Sequence, residues 1–102
     1  MLKDQLTVTG THVGDGNAKN ISIGFKPRRV TVFNETDAMK WIWTDTMAAG
    51  KGFKTVTVGT QTFEAANGIS HYAGTEAGNT EGFTLGTGVN IAAKTLHWIA
   101  ER

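Results

Sequence analysis

Three histidines, His12, His71 and His97, are the side chains best suited to acid–base catalysis or metal binding in this chain of 102 residues. No two of them have the His-x-x-x-His spacing, and the chain contains no cysteine that would complete a mixed site. A zinc site needs three or four ligands, and a catalytic base needs partner groups that orient it. We therefore predict structural roles for the histidines, and neither a metal site nor a cofactor.

The carboxylates also argue against catalysis, because they are spread over turns and strand ends. A glycosidase needs two carboxylates that face each other across a cleft, for which a chain of this length has little room. The two serines lie outside any Gly-x-Ser-x-Gly elbow, and no Gly-x-x-x-x-Gly-Lys-Thr phosphate loop occurs. We predict that the protein is not an enzyme.

The charge balance and the apolar pattern exclude further classes of partner. Ten basic and nine acidic side chains give a net charge of +1, whereas nucleic-acid binders usually carry a basic excess on one face. No apolar run approaches the ~20 residues of a membrane span, and the first residues lack the apolar segment of a secretory signal. We therefore expect no nucleic-acid or membrane partner. The lack of cysteine fits a reducing cytoplasm or stabilisation by oligomerisation.

The elements that must position these side chains are predicted to be short strands. Thirteen glycines and sixteen threonines favour tight turns and strands, and no window shows a long helical period. Alternating stretches at a spacing of about 8–12 residues are typical of a sandwich or barrel. We predict one all-β domain, a small antiparallel β-sandwich of about seven to nine strands with little or no helix. The predicted strands are Gln5–Thr9, Ile21–Phe25, Arg29–Asn34, Met39–Thr44, Phe53–Val58, Gln61–Ala65, Ile69–Tyr72, Gly82–Gly86 and Thr95–Glu101.

Residues 1–20 read as an N-terminal strand or arm with a turn at Gly14–Asn17, and residues 21–102 as the sandwich itself. An arm of this kind would become ordered when the protein docks. At the other end, Trp98 is the large apolar side chain of Thr95–Glu101. If its ring lies in the core, the strand that carries it is central in the sheet.

Trp41 and Trp43 are two residues apart, so their rings lie on the same face of the strand Met39–Thr44. One interpretation places both rings in the core. The other places one ring in a subunit interface or a sugar-binding platform, because aromatic rings contribute strongly to interfaces. We predict that the pair serves the core and a subunit interface together.

Part of the chain resembles the H-type lectin domains. The segment Ile21–Val32, with its apolar strand, Pro27 and Val-rich strand, resembles the opening strands of that family. Gly82–Leu85 and Leu96–Ala100 resemble its closing strands. The resemblance implies an H-type lectin-like or jelly-roll-like sandwich that assembles as a homotrimer. It carries over no sugar-binding residue.

A second resemblance covers most of the chain and concerns small virion proteins of tailed bacteriophages. It rests on the segments Gly24–Val30, Trp43–Gly50, Asn67–Ile69, Gly82–Gly86 and Thr95–Ala100. It implies a capsid decoration (cement) protein, made in the host cytoplasm and located in the virion, that clamps the major capsid protein. The alternative is a tail-associated module that binds a receptor or a carbohydrate, which exposed tryptophans or an exposed Tyr72 would favour.

Aromatic rings and basic side chains are the candidates for the interface with copies or neighbours. Rings bury large apolar areas in interfaces, and the basic pair beside Pro27 would suit an acidic capsid surface. The predicted interface residues are Phe25, Arg28, Arg29, Trp41, Trp43, Tyr72, His97 and Trp98.

Overall fold

The computed structural model describes residues 7–75 and 81–102, and within them all regular structure is β-strand. Eight strands form one curled antiparallel sheet in the order β1-β8-β3-β4-β5-β6-β7-β2, which confirms the predicted all-β antiparallel fold. No helix that could cross a membrane occurs in these two ranges. The strands are β1 (Thr7–Val13), β2 (Lys19–Ser22), β3 (Arg29–Asn34), β4 (Met39–Thr44), β5 (Lys51–Thr55), β6 (Gln61–Tyr72), β7 (Gly82–Leu85) and β8 (Thr95–Glu101).

The hairpin of β3 and β4 supplies the middle of the core, as its alternating pattern predicts. Val32 pairs with Trp41 and Val30 with Trp43, and all four side chains are buried on one face. The polar turn between the strands is held by Asn34, whose Oδ1 accepts a hydrogen bond of 2.9 Å from the backbone N–H of Asp37. Turn chemistry and side-chain period therefore agree in this hairpin.

The ring of Trp98 is buried, but the strand that carries it lies between β1 and β3, next to the edge of the sheet rather than at its predicted central position. Residues 7–13 of the predicted N-terminal strand or arm form β1, an edge strand that pairs along its whole length with β8. Residues 1–6 lie outside the described residues. The strands β7 and β8 are not neighbours in the sheet, because β7 pairs with β6 and β2.

The curl of the sheet brings its two halves together as two layers. The ring of Phe83 on β7 packs edge-on against Trp98 on β8, with ring centroids 5.2 Å apart and an interplanar angle of 74°. Around this contact lies a continuous core drawn from both halves. Its members include Ile21, Val30, Val32, Trp41, Trp43, Ile69, Phe83, Leu85, Val89, Leu96, Trp98 and Ala100.

Two tryptophan rings lie so close to the neighbouring backbone that only glycine fits there. A Cβ atom at Gly10 would lie 2.2 Å from Cζ2 of Trp98, and one at Gly52 would lie 2.6 Å from Cε3 of Trp41. These distances are far below ordinary van der Waals contact. The glycines on β1 and β5 therefore define the slots that hold the two rings.

The β5–β6 hairpin differs from the prediction at its turn. Instead of continuing to Val58, β5 ends at Thr55, because the chain reverses between Val56 and Thr60. The backbone N–H of Val56 donates to the carbonyl of Thr60, and that of Gly59 donates to the carbonyl of Val56. Gly59 has a φ of 89°, the left-handed conformation that this bulged hairpin turn requires. Val58 therefore lies at the exposed tip.

A bulge divides β6 into two parts. Lys51 pairs with Ile69, whereas the next residue of β5, Gly52, pairs with Glu64. Residues 65–68 are thus extra residues on the β6 side, which is where the sequence carries the predicted Asn67-Gly68 turn. Residues 61–64 pair with β5, and residues 69–72 pair with β7.

Candidate functional site

The described residues contain no detectable pocket, and no group of three or more His, Cys, Asp or Glu side chains that could hold a metal ion. The three histidines lie on three different strands, β1, β6 and β8. Each histidine has a single hydrogen-bond partner of its own rather than sharing a site with the others. The candidate functional sites among the described residues are therefore surfaces rather than clefts.

His12 belongs to a polar network that fixes the loop after β1. Its Nε2–H donates to Oδ1 of the fully buried Asn90 over 2.7 Å. The side-chain amide of Asn90 donates in turn to Oδ1 of Asp15 at 2.9 Å and to the carbonyl of Asn17 at 2.8 Å. Asn90 thus satisfies every polar atom of its side chain and ties β1 to the segment before β8.

The other two histidines pair with surface carboxylates. Nε2 of His71 lies 2.6 Å from Glu81, and Nε2 of His97 lies 2.6 Å from Glu35. The first pair ties β6 to the residue before β7, and the second ties β8 to the β3–β4 turn. His97 and Glu35 are both exposed, so this pair borders the solvent-facing side of the sheet.

The eight predicted interface residues fall into two groups. Phe25, Trp41, Trp43 and Trp98 are buried in the core of the single chain, which leaves them little surface to offer a partner. The other four lie at the surface, where Arg28, Arg29 and His97 are exposed and Tyr72 is half-buried. The exposed rings are those of Phe33 and Phe63, which the sequence analysis did not single out.

The most unusual surface is the outer face of the sheet, the side turned away from the core. The strand registers align one outward residue from each of β8, β3, β4, β5 and β6, so that their side chains form a row across the sheet. Four of the five are large and apolar. We call this set the apolar row, and it consists of Ile99, Thr31, Ile42, Phe53 and Phe63.

The apolar row ends in an aromatic pair. The rings of Phe53 and Phe63 lie 4.8 Å apart, and 69% of Phe63 is exposed. In the adjacent outward row Phe33 adds a fifth large apolar side chain to this face, with 40% of its surface exposed. With Thr9 of β1 at its far end, the row crosses six strands, or about 24 Å at ~4.8 Å per strand.

An ion pair and a hydrogen-bonded polar pair border the apolar row. Glu101 accepts two hydrogen bonds from the guanidinium of Arg29, which lowers the pKa of the Glu101 carboxyl and raises the pKa of Arg29. His97 and Glu35 lie on the opposite side of the row. An apolar centre with a polar rim is the usual anatomy of a protein–protein interface.

Apolar residues at outward strand positions are the feature of the sequence that indicates this surface. Ile42 and Phe53 are apolar at positions whose neighbours along the strand already supply the buried face. An antiparallel sheet with one solvated face normally alternates apolar with polar residues. Apolar residues at outward positions of several strands therefore indicate a second apolar face, but only the strand register shows that they are aligned.

Comparison with known proteins finds no match to this chain among protein-family models, curated proteins or solved structures. Its function is therefore inferred from its own geometry. Among the described residues, the apolar row with its polar rim is the feature that the stability of the single chain does not explain.

Proposed function

We propose that this protein is a non-catalytic structural protein that works by covering the outer face of its sheet with a protein neighbour. The observation that carries the proposal is the apolar row on a face that antiparallel sheets usually give to water. Surface apolar residues are ordinary when they are single. Here they are aligned side by side and bordered by an ion pair and a hydrogen-bonded polar pair, which is the arrangement of an interface.

The size of the surface supports weak binding by one copy and firm binding by many. The apolar row itself covers roughly 24 by 7 Å, or about 170 Å². At ~25 cal/mol per Å² of apolar surface, burial contributes about 4 kcal/mol before the cost of association is subtracted. Many copies that bind a repeating surface gain avidity without any further contact.

A partner that forms a repeating lattice fits contacts that are weak singly and firm in number. The resemblance to small virion proteins of tailed bacteriophages points to such a partner, the capsid. In the proposed role the protein decorates a capsid in the virion, and its outer face lies on the major capsid protein. Each contact is modest, and the regular array of capsid subunits makes the sum large.

The alternative role, a tail-associated module that binds a receptor or carbohydrate, would be favoured by exposed tryptophans or an exposed Tyr72. Trp41, Trp43 and Trp98 are all buried, and Tyr72 is only half-exposed. No observation in the described residues favours this alternative over capsid decoration.

The test is co-sedimentation of the purified chain with heads and, separately, with tails of the virion whose genome encodes it. We expect binding to heads, and we expect Ile42→Lys to reduce it at least 10-fold because a charge would be buried in the centre of the interface. The matched control is Asn20→Lys, which adds the same charge at an exposed position on β2.

Three outcomes would contradict the proposal. They are binding to tails alone, binding to heads that Ile42→Lys leaves unchanged, or equal losses for the two lysine variants. Circular dichroism of each variant shows whether the sheet is intact, so that a loss of binding is not a loss of fold.

A further inference from the structure

We infer that two copies of this chain pair edge to edge through residues 61–64 of β6, with a two-fold axis at Phe63. The inference deepens the proposed function, because the apolar row of one copy would continue into that of the other. It rests on a separate observation, however, which is an open strand edge rather than the outer face itself.

The first part of β6 is an unprotected edge. Residues 61–64 pair with β5 on one side, and no strand of the described chain pairs with them on the other. The N–H of Val56 donates to the carbonyl of Thr60, so these two opposite residues form a hydrogen-bonded pair. Hydrogen-bonded and non-hydrogen-bonded pairs alternate along an antiparallel ladder. Counting from this pair, the N–H and C=O groups of Thr62 and Glu64 point to β5, and those of Gln61 and Phe63 point outwards.

The spacing of the aromatic pair agrees with this assignment. Phe53 and Phe63 are opposite each other, and the alternation makes them a pair without mutual hydrogen bonds, whose Cα atoms are about 4.5 Å apart. Their ring centroids are 4.8 Å apart, as expected for such a close pair. No strand in residues 7–75 or 81–102 pairs with the outward backbone groups of Phe63, so they can bind a strand of another copy.

This edge differs from the other two edges of the sheet. Charged residues and bulges are common at open edges, and Glu64 and the bulge at residues 65–68 lie at one end of this edge. The edge strand β2 carries the exposed Lys19, and β1 carries small threonine and glycine side chains along most of its length. At the centre of the β6 edge, by contrast, lies Phe63, which is 69% exposed.

The edge is complementary to itself. An antiparallel pairing centred on Phe63 places it opposite Phe63 of the second copy, where the two residues exchange N–H···O=C hydrogen bonds. Gln61 then lies opposite Ala65. The rings of Phe53 and Phe63 from both copies form one line, and the apolar row extends over both sheets. A strand that pairs antiparallel with its own copy generates a two-fold axis.

The charges also suit this register. Glu64 lies opposite Thr62 of the second copy rather than opposite another carboxylate. Within one copy Lys54 pairs with Thr62, and its Nζ lies 3.5 Å from a carboxylate oxygen of Glu64. In the pair of copies each Glu64 therefore has a lysine from both chains nearby, which favours the contact.

The contact is small, so the dimer should be weak. Two edges of about five residues bury far less than the roughly 1,200 Å² at the low end of stable interfaces. We expect a dissociation constant on the order of tens to hundreds of micromolar. The two-fold pair differs from the homotrimer that the lectin resemblance implies, and a mass determination distinguishes them.

The decisive experiment uses single cysteines in a chain that has none of its own. In the proposed register the Cα atoms of the two copies of residue 63 are about 5.5 Å apart, within the range that a disulfide spans. Phe63→Cys should therefore cross-link rapidly under mild oxidation. The controls are Val58→Cys, at the 84% exposed hairpin tip, and Thr62→Cys, whose copies are about 8 Å apart.

A second measurement keeps Phe63 in place. Gln61→Pro removes an outward N–H from an edge strand, a position that tolerates proline, and Gln61→Ala keeps that N–H. Sedimentation equilibrium should show that proline weakens dimerisation about 10-fold or more and that alanine does not. The inference is overturned if the wild-type chain is monomeric at millimolar concentration, if Thr62→Cys or Val58→Cys cross-links as fast as Phe63→Cys, or if the two Gln61 variants behave alike.

The results separate this inference from the proposed function. If the edge pairs but Ile42→Lys has no effect on binding to heads, the inference stands and the proposed function fails. If Gln61→Pro leaves the mass unchanged while Ile42→Lys abolishes binding, the outer face binds a neighbour and the edge does not pair.

Discussion

Phe83 and Trp98 touch edge to face, with centroids 5.2 Å apart, although their strands are five positions apart in the sheet. This contact joins the two halves of one curled sheet. Phe83 is fully buried, and β7 and β8 hold the two rings from opposite layers. The layered core therefore depends on a contact between strands that share no backbone hydrogen bond.

The contact should have a measurable coupling energy. Replacing Phe83 or Trp98 by leucine keeps the core apolar but removes the ring pair, and we expect a coupling of about 0.5–1.5 kcal/mol in a double-mutant cycle. Urea denaturation of the four proteins measures it. Additive losses of stability would show that the rings contribute through burial alone.

Gly10→Ala should destabilise the protein by about 1–3 kcal/mol, because the new methyl group would overlap the indole of Trp98. The free energy of unfolding from urea titration is the measurement. In a Trp98→Leu background the same substitution should cost clearly less. An equal cost in both backgrounds would show that alanine at position 10 strains the backbone rather than clashing with the indole ring.

Asn90→Ala should cost about 2–4 kcal/mol, since it removes the hydrogen bonds that the Asn90 side chain makes with His12, Asp15 and Asn17. Thermal and urea unfolding measure the loss, and cleavage within the loop of residues 14–18 by a protease should become faster. The control, Asn20→Ala, removes an exposed hydrogen bond to Thr84 and should change stability by less than about 0.5 kcal/mol.

The pair of Arg29 and Glu101 should give a small, salt-sensitive contribution that depends on pH. Hydrogen bonds from Arg29 lower the pKa of Glu101 below its ordinary value of 4.5. The unfolded chain therefore binds a proton first as pH falls, and the stabilisation is complete above that value and lost below it. Wild type should thus lose more stability than Glu101→Gln between pH 6 and pH 3. Parallel curves for the two proteins would show that the pair contributes nothing.

The apolar row should matter little for the stability of the single chain. Ile42 is half-exposed, so Ile42→Thr should cost less than about 1 kcal/mol, whereas Val32→Thr on the buried face of β3 should cost about 1–3 kcal/mol. Chemical denaturation compares the two. A large cost for Ile42→Thr would mean that the outer face contributes to folding and weaken its assignment as an interface.

The sequence predicted the local features of the fold well, because they depend on residues close in the chain. Alternation assigned the two faces of β3 and β4 correctly, and the polar residues Asn34–Asp37 marked their turn. The boundaries of β2 and β5 were less accurate. Lys19 and Asn20 pair with β7 before the predicted strand begins, and the predicted β5 runs into the Val56–Thr60 turn.

The order of the strands and the candidate site could not be predicted in the same way. β8 pairs with β1 and β3, and nothing local in Thr95–Glu101 specifies those partners. The alignment of the apolar row is a property of register across five strands, because apolar residues at outward positions do not by themselves show that they lie side by side. Four of the five aromatic residues in the predicted interface set, Phe25, Trp41, Trp43 and Trp98, are buried in the core of the single chain, because large rings fill the core of a thin domain well.

Arg29 on β3 pairs with Glu101 on β8, so β3 cannot complete its pairing until β8 has been synthesised. On the ribosome, β4 to β7 can form hairpins while the chain is still growing, but β3 gains its second neighbour only when β8 has emerged. Until then Val30 and Val32 lie on an open strand, exposed to other nascent chains. Productive folding of this protein therefore waits for β8, and its yield in a crowded cell depends on how quickly β8 inserts between β1 and β3.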